Sequence, residues 1–196
     1  EEGESETALE LLDFVIAEAQ QAEVKLQAEQ IRLKILQETL PKKNYPEIET
    51  AYEQLFKTYG NGLNTLSLHI DYANFLAFNQ GKTDQAEAVL KGFLEKDLKK
   101  FEEAAVKMAL SDILVLDEKF NQALIYYSQV QNLVENDVIA QMARFKVAKT
   151  SYYKGDFKWA GIQLDVLKSA TSQLIANDAM ELSLLISENT LEDSTQ

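Results

Sequence analysis

Residues 152–160 read Tyr-Tyr-Lys-Gly-Asp-Phe-Lys-Trp-Ala, and Leu164 and Leu167 follow. The Gly-Asp pair lies between two runs of helix-forming residues and predicts a tight turn, because glycine adopts backbone conformations that other residues avoid. Phe157 comes directly after the turn, and the small Ala160 comes three residues later. The two leucines follow at helical spacing. The stretch therefore predicts a hairpin of two helices.

The same order of residue types occurs four times at a nearly constant interval. The residues that open the second helix of each hairpin are Tyr45, Thr83, Phe120 and Phe157, which lie 38, 37 and 37 residues apart. Three later positions in every copy hold predicted core residues. These are Ile48, Ala86, Ala123 and Ala160 three residues on, Tyr52, Leu90, Tyr127 and Leu164 seven on, and Leu55, Phe93, Val130 and Leu167 ten on. One hairpin cannot bury its apolar stripe alone, so repeated hairpins predict a stack with a shared core.

The composition agrees with an all-α fold. Good helix formers dominate, and only two prolines and seven glycines interrupt 196 residues. We expect residues 1–196 to form one helical array with a weak break near 20–23. Its predicted segments are the second helix of an incomplete leading unit (7–20), four repeats (25–62, 63–98, 99–135 and 136–170), the first helix of a following incomplete unit (171–190) and a frayed tail (191–196).

The best copy of the hairpin resembles the tetratricopeptide repeat. The residues that carry the resemblance are Gly155, Asp156, Phe157 and Ala160, and the turns before Ala86 and Ala123 are weaker matches. The resemblance covers about residues 25–170. It implies a right-handed α-α superhelix, or solenoid, of stacked antiparallel hairpins that binds a protein or peptide on its concave face.

Three features depart from that family. The period of 37–38 residues exceeds the usual period of about 34. The large aromatic residue expected early in each first helix is replaced by Arg32, Ile70, Lys107 and Arg144, and the proline at the end of each unit is missing. The chain also looks similar to the middle of larger bacterial proteins of this family. That likeness implies a fragment of a longer protein in the periplasm or cell envelope.

Charge and composition exclude several classes of function. The formal net charge of −13 disfavours nucleic acid, because phosphate backbones repel an acidic surface. The sequence contains no apolar run of the roughly 20 residues that a membrane span requires, so we expect no membrane insertion by this segment. Cysteine is absent, which excludes disulfides and thiolate chemistry.

The sequence holds no motif for catalysis, a cofactor or a metal. His69 is the one histidine, and we interpret it as a helix-surface or groove residue. Paired acids such as Glu102-Glu103 are typical of helix starts and solvated faces. We therefore predict that the chain is not an enzyme, with no catalytic residue, no cofactor and no metal.

The family resemblance also implies a partner-binding groove. First helices of tetratricopeptide hairpins line the concave face, through positions twelve, eight and five residues before each turn. The positions that match are Asp71, Phe75, Phe78, Met108, Asp112, Val115, Phe145, Lys149 and Tyr152. They form a mixed groove in which Asp71 and Asp112 lie opposite Lys149. Alternatively, several of them are core residues between helices. Trp159 lies on a second helix, and we expect it to pack at the boundary between repeats.

Two functions are compatible with these features. The first is a non-enzymatic scaffold that binds a peptide or partner protein in the groove. The second is a structural spacer or self-assembly platform, which associates end to end through apolar stripes at residues 9–16 and 174–186.

Overall fold

A computed structural model describes residues 2–170 and 172–193. These residues form ten α-helices and no strand, which confirms the all-α prediction. The helices are α1 (Glu2–Glu18), α2 (Ala22–Thr39), α3 (Tyr45–Tyr59), α4 (Leu66–Asn74), α5 (Thr83–Leu94), α6 (Lys100–Leu116), α7 (Phe120–Leu133), α8 (Val138–Tyr153), α9 (Phe157–Leu167) and α10 (Gln173–Asp193). Short 3-10 turns precede α3 and α4, and a π-helical turn at Phe75–Asn79 continues α4.

Most helices begin and end close to the turn residues that predicted their ends. The expected break near residues 20–23 lies between α1 and α2. The predicted frayed tail at 191–196 is helical over residues 191–193, and residues 194–196 lie outside the described part of the chain. The helix predicted at the start of segment 171–190 begins at Gln173 as α10.

The chain divides into two compact units, Glu1–Val89 and Leu90–Gln196. In the first unit α1 packs on α2 and α2 packs on α3. Its core gathers one face of α2, α3 and α4 with the π-helical turn, through Leu26, Leu33, Ile48, Tyr52, Leu55, Leu68 and Phe75. An ion pair between Arg32 Nε and Asp13 Oδ1, at 2.8 Å, also joins α1 to α2.

In the second unit each helix from α6 to α9 packs on the next helix along the chain. The first helices also touch one another, because α6 contacts α8 and α8 contacts α10. One core cluster lies around Ala104, Val130, Val134 and Ala143. A second joins α8, α9 and α10 through Ala148, Ala160, Leu164, Leu167, Ile175, Ala179 and Ile186.

All twelve positions that the repeat marks as core are buried. They are Ile48, Ala86, Ala123 and Ala160, Tyr52, Leu90, Tyr127 and Leu164, and Leu55, Phe93, Val130 and Leu167. Alanine at three of the four positions of the first set lets the backbones of two helices approach closely, whereas Ile48 and the residues of the other two sets are larger and fill more of the core. The core pattern predicted from the period is therefore confirmed.

The turns repeat as well as the core. Gly81, Glu118 and Gly155 have left-handed backbones with φ of 69°, 56° and 79°, and they lie 37 residues apart. In the last two turns the next residue donates its N–H back into the preceding helix, from Lys119 to the Leu114 carbonyl at 2.8 Å and from Asp156 to the Ser151 carbonyl at 2.9 Å. This closure satisfies carbonyls that a helix end otherwise leaves open.

Candidate functional site

In the first unit, Asp71 couples α4 to α2. Its Oδ2 accepts a hydrogen bond from Gln30 Nε2 at 2.9 Å, and its Oδ1 lies 2.9 Å from Lys34 Nζ. The Asp71 side chain is only 13% exposed, while that of Lys34 is 55% exposed. Asp71 is therefore already paired, and Lys34 offers most of the accessible charge.

The structure places Phe75 in the core, which corrects its assignment to the groove. Its ring is fully buried and packs edge-on against Tyr45, with ring centroids 5.5 Å apart. The centroid of the Tyr52 ring lies 5.8 Å from that of Phe75. Phe78, three residues later in the π-helical turn, is 53% exposed and stays available to a partner.

In the second unit, Asp112 on α6 accepts two hydrogen bonds. One comes from the Tyr127 hydroxyl on α7, and the other from Lys146 Nζ on α8 at 2.6 Å. The predicted opposition of Asp112 and Lys149 is therefore replaced by a pair with Lys146, three residues earlier on α8. Lys149 is exposed, and its Nζ lies 6.0 Å from the centroid of the Tyr153 ring.

A sequence signal for this pairing exists and was missed. Lys34 and Lys146 both lie eleven residues before the residue that opens the second helix of their hairpin. Each one pairs with an aspartate on the first helix of a neighbouring hairpin. Lysine at this position thus connects consecutive first helices, although the residue types alone do not show which acid it meets.

In the first and third hairpins, the position eight residues before the turn faces the second helix of its own hairpin. Gln37 Nε2 donates to the Tyr52 hydroxyl at 2.7 Å in the first copy, and Asp112 accepts from Tyr127 in the third. Burial raises the pKa of both tyrosines, and in Tyr127 the nearby Asp112 charge raises it further. Both phenols therefore stay protonated, and this position is structural in these copies.

Four further groove candidates are half-buried. Met108 packs against the core around Ala104 and Val130, and Phe145 and Tyr152 pack against the core shared by α8, α9 and α10. The Tyr152 ring lies 5.5 Å from the ring of Phe157. Val115 is half-buried near the end of α6. These side chains present one edge to solvent while the other edge stabilises the hairpins.

His69 differs from its interpretation as a helix-surface or groove residue. His69 is 8% exposed, its Nδ1 lies 2.8 Å from the Thr65 carbonyl oxygen, and its ring stacks on Phe56 at 4.2 Å. It is therefore a core residue of the first unit and not a surface residue. Trp159, expected to pack between units of the repeat, is 46% exposed.

A polar cluster around Glu49 lies between α3 and the end of the π-helical segment in the first unit. The carboxylate accepts from Gln80 Nε2 at 3.1 Å and from Lys82 Nζ at 3.0 Å, and the Tyr72 hydroxyl lies at 3.5 Å. The hydrogen bond from Gln80, followed by the bond and charge of Lys82, lowers the pKa of Glu49 despite its partial burial. The cluster ties α3 to the turn after the π-helical segment.

No protein-family model matches the chain, and a search of curated proteins finds no significant match. Among the described residues, every helix is either too short or too polar to cross a bilayer. The functional proposal therefore rests on the surfaces of the chain itself.

Proposed function

We propose that this chain is a non-enzymatic scaffold of tetratricopeptide-like hairpins, stacked as a right-handed solenoid, which binds a peptide or partner protein on its first helices. The observation that carries the proposal is the repeat in both core and turns. Twelve equivalent positions are buried, and left-handed residues recur at 81, 118 and 155. Such arrays build extended surfaces and leave side chains on one face free for recognition.

The second unit offers the best-defined surface for this purpose. Because α6 contacts α8 and α8 contacts α10, their side chains form a continuous face. Lys149 and Tyr153 are exposed there, beside the half-buried Phe145 and Tyr152. An exposed cation can pair with a carboxylate of a peptide, and aromatic side chains beside it supply apolar contact.

The test begins with a random peptide library, because such a library samples many partner sequences at once. Peptides selected on the immobilised full chain are measured by calorimetry against Lys149→Glu. The substitution leaves the core untouched, since Lys149 is exposed. We expect an affinity loss of at least about tenfold, which corresponds to ~1.4 kcal/mol.

The matched control is Lys57→Glu, which makes the same charge change at an exposed site on α3. It should leave the affinity within about twofold of the parent chain. Equal losses in both variants would mean that overall charge, and not the groove, determines binding. If no selected peptide distinguishes Lys149→Glu from Lys57→Glu, the groove assignment is wrong.

A second candidate is a self-assembly platform, favoured by apolar residues on the outer faces of α1 and α10. Leu11 and Phe14 are 62% and 66% exposed, and Leu174 and Leu184 are 67% and 65% exposed. Both helices contain acidic residues and no basic one, so contact between copies brings like charges together. Analytical sedimentation at increasing salt concentration tests this function. Because salt screens the repulsion between copies, the associated fraction of the protein must rise with salt.

A location in the bacterial cell envelope belongs to the same proposal and is supported by the family resemblance alone. Fractionation of the native organism tests it.

A further inference from the structure

Helix α9 carries an apolar stripe on the side that faces away from the core. Trp159, Ile162 and Val166 are 46%, 48% and 52% exposed, and their spacing of three and four residues places them along one side of the helix. The opposite side of α9 is buried, through Ala160 and Leu164. Single exposed apolar residues are common on protein surfaces, whereas a contiguous row of large ones is typical of a protein contact.

A pair of opposite charges runs beside this stripe. Lys158 and Asp165 are exposed and lie seven residues apart, so they stand about two turns from each other on the same edge of α9. Successive residues turn by about 100°, which puts this charged edge on one side of Ile162 and the other two apolar residues on the opposite side. Asp165 Oδ1 lies 2.7 Å from Lys168 Nζ, but a carboxylate offers about four acceptor sites, so this surface pair leaves room for a second lysine.

Helix α9 is electrically neutral within an acidic chain. Its charged residues are one lysine and one aspartate, whereas α1 and α10 contain acidic residues and no basic one. The charges beside the C-terminal end of α9 are mixed, because Glu135, Asp137 and Arg144 line the cleft there. Two copies of this chain therefore repel each other less along α9 than along α1 or α10.

Two copies of α9 match each other when they pack side by side in opposite directions. The twofold axis that relates them keeps each edge of one helix beside the same edge of the other helix and reverses its direction. Residues at equal distances before and after the axis therefore meet. The midpoint between Lys158 and Asp165, and the midpoint between Trp159 and Val166, each fall half a residue from Ile162. One axis near Ile162 thus serves both pairs.

We propose that α9 forms a contact between two copies of this chain, antiparallel around a twofold axis at Ile162. Lys158 of each copy then lies beside Asp165 of the other copy, and Trp159 packs against Val166 of the other copy. The two Ile162 side chains meet at the centre. Charge complementarity selects a second copy as the occupant, because the chain itself supplies both partner charges at the required spacing by symmetry.

The contact is small, so the dimer is reversible. Two turns of helix from each copy bury less than the roughly 800 Å² per partner of a standard stable interface. We therefore expect the dimer to form in the micromolar range. It uses a second helix, whereas the peptide site under the proposed function uses first helices, so each proposal can fail without the other.

Sedimentation velocity of the full chain from about 5 µM to about 500 µM, in ~0.15 M salt, measures this dimer. Salt at this level screens the repulsion between distant charges more than it weakens direct pairs. The dimer fraction should rise with concentration, and the emission of Trp159, the one tryptophan of the chain, should shift to shorter wavelength with it. A chain that stays monomeric up to about 500 µM, or that dimerises without a change in emission, would overturn the proposal.

Charge reversal tests the antiparallel arrangement. Lys158→Glu and Asp165→Lys should each weaken the dimer at least about tenfold, because each change brings like charges together at two symmetric places. The double variant Lys158→Glu/Asp165→Lys should dimerise within about threefold of the parent, since exchange of the two charges restores both pairs. An equimolar mixture of the two single variants should also dimerise, which shows that each is folded. If the double variant stays as weak as the single ones, the twofold arrangement is refuted.

Apolar substitutions then locate the contact. Ile162→Glu places two negative charges at the axis and should weaken the dimer at least about tenfold, whereas Ile31→Glu, the same change at a 50% exposed site on α2, should leave it within about twofold. Leu184→Glu, at a 65% exposed site on α10, should also leave the dimer within about twofold. If Leu184→Glu abolishes the dimer and Ile162→Glu does not, the copies associate end to end and the α9 contact is wrong.

Discussion

Replacing Glu118 with glycine tests whether the turns are equivalent. Glu118 has φ of 56° at the position where the neighbouring copies have Gly81 and Gly155. A residue with a Cβ is disfavoured in this left-handed region, whereas glycine adopts it without steric cost. Glu118→Gly should therefore increase the stability of the second unit.

The expected gain is small and can be worked out from opposing effects. Relief of the left-handed strain contributes about 1–2 kcal/mol. Glycine has greater conformational freedom in the unfolded chain, which reduces this stabilisation by about 0.4–1 kcal/mol. Glu118 also follows the C-terminal end of α6, where a negative charge is unfavourable by about 0.3–1 kcal/mol. The net gain in the free energy of unfolding should be about 1 kcal/mol, or ~2–4 °C in Tm.

Urea denaturation followed by Trp159 fluorescence is the suitable assay, because Trp159 lies in the same unit as Glu118. The matched variant Glu118→Gln removes the charge but keeps the Cβ, so it separates electrostatics from backbone strain. The order of stability should be glycine above glutamine above the parent chain. If the glycine variant is no more stable than the glutamine variant, the claim of backbone strain at Glu118 is refuted. The reverse change, Gly155→Ala, should destabilise by about 1 kcal/mol or more.

Three other substitutions probe the core and the polar contacts. Ala123→Leu should lower the free energy of unfolding by about 1–3 kcal/mol in urea denaturation, because Ala123 is fully buried where two helices meet. Tyr127→Phe should cost about 1–2 kcal/mol by removing the donor to Asp112, and a double-mutant cycle with Asp112→Asn should give a coupling above about 0.5 kcal/mol. Glu49 has a lowered pKa, so its carboxylate stabilises the fold above its ordinary pKa of 4.5 and loses this effect as the pH falls further. Glu49→Gln should therefore be less stable than the parent at neutral pH, and thermal unfolding curves should show the difference shrink as the pH falls below 4.5.

The helical architecture could be predicted because its causes are local. A helix needs only hydrogen bonds between residues four apart, so composition and punctuation determine where helices begin and end. The period of the small and apolar residues then identifies the core side of each second helix, as the burial of Ala86, Ala123 and Ala160 confirms. The left-handed turn residue at Gly155 follows from the same local chemistry.

The candidate site was harder to predict, because it depends on the rotation of one helix against its neighbours. Successive residues differ by about 100° around a helix, so Lys146 and Lys149 lie only about 60° apart. The sequence does not distinguish which of them meets Asp112, and the structure selects Lys146. Phe75 was misplaced for a similar reason, since the packing of this segment against α3 places the ring beside Tyr45 and Tyr52 in the core.

The sequence by itself determined that the described chain is all-α, which positions hold the core and where the turns lie, because these depend on spacing along one chain. Only the tertiary structure decided which side chains remain open to a partner. It buried His69 and Phe75 and left Trp159 exposed. Exposure and ion pairing depend on distances between helices, and residue types along the sequence do not contain those distances.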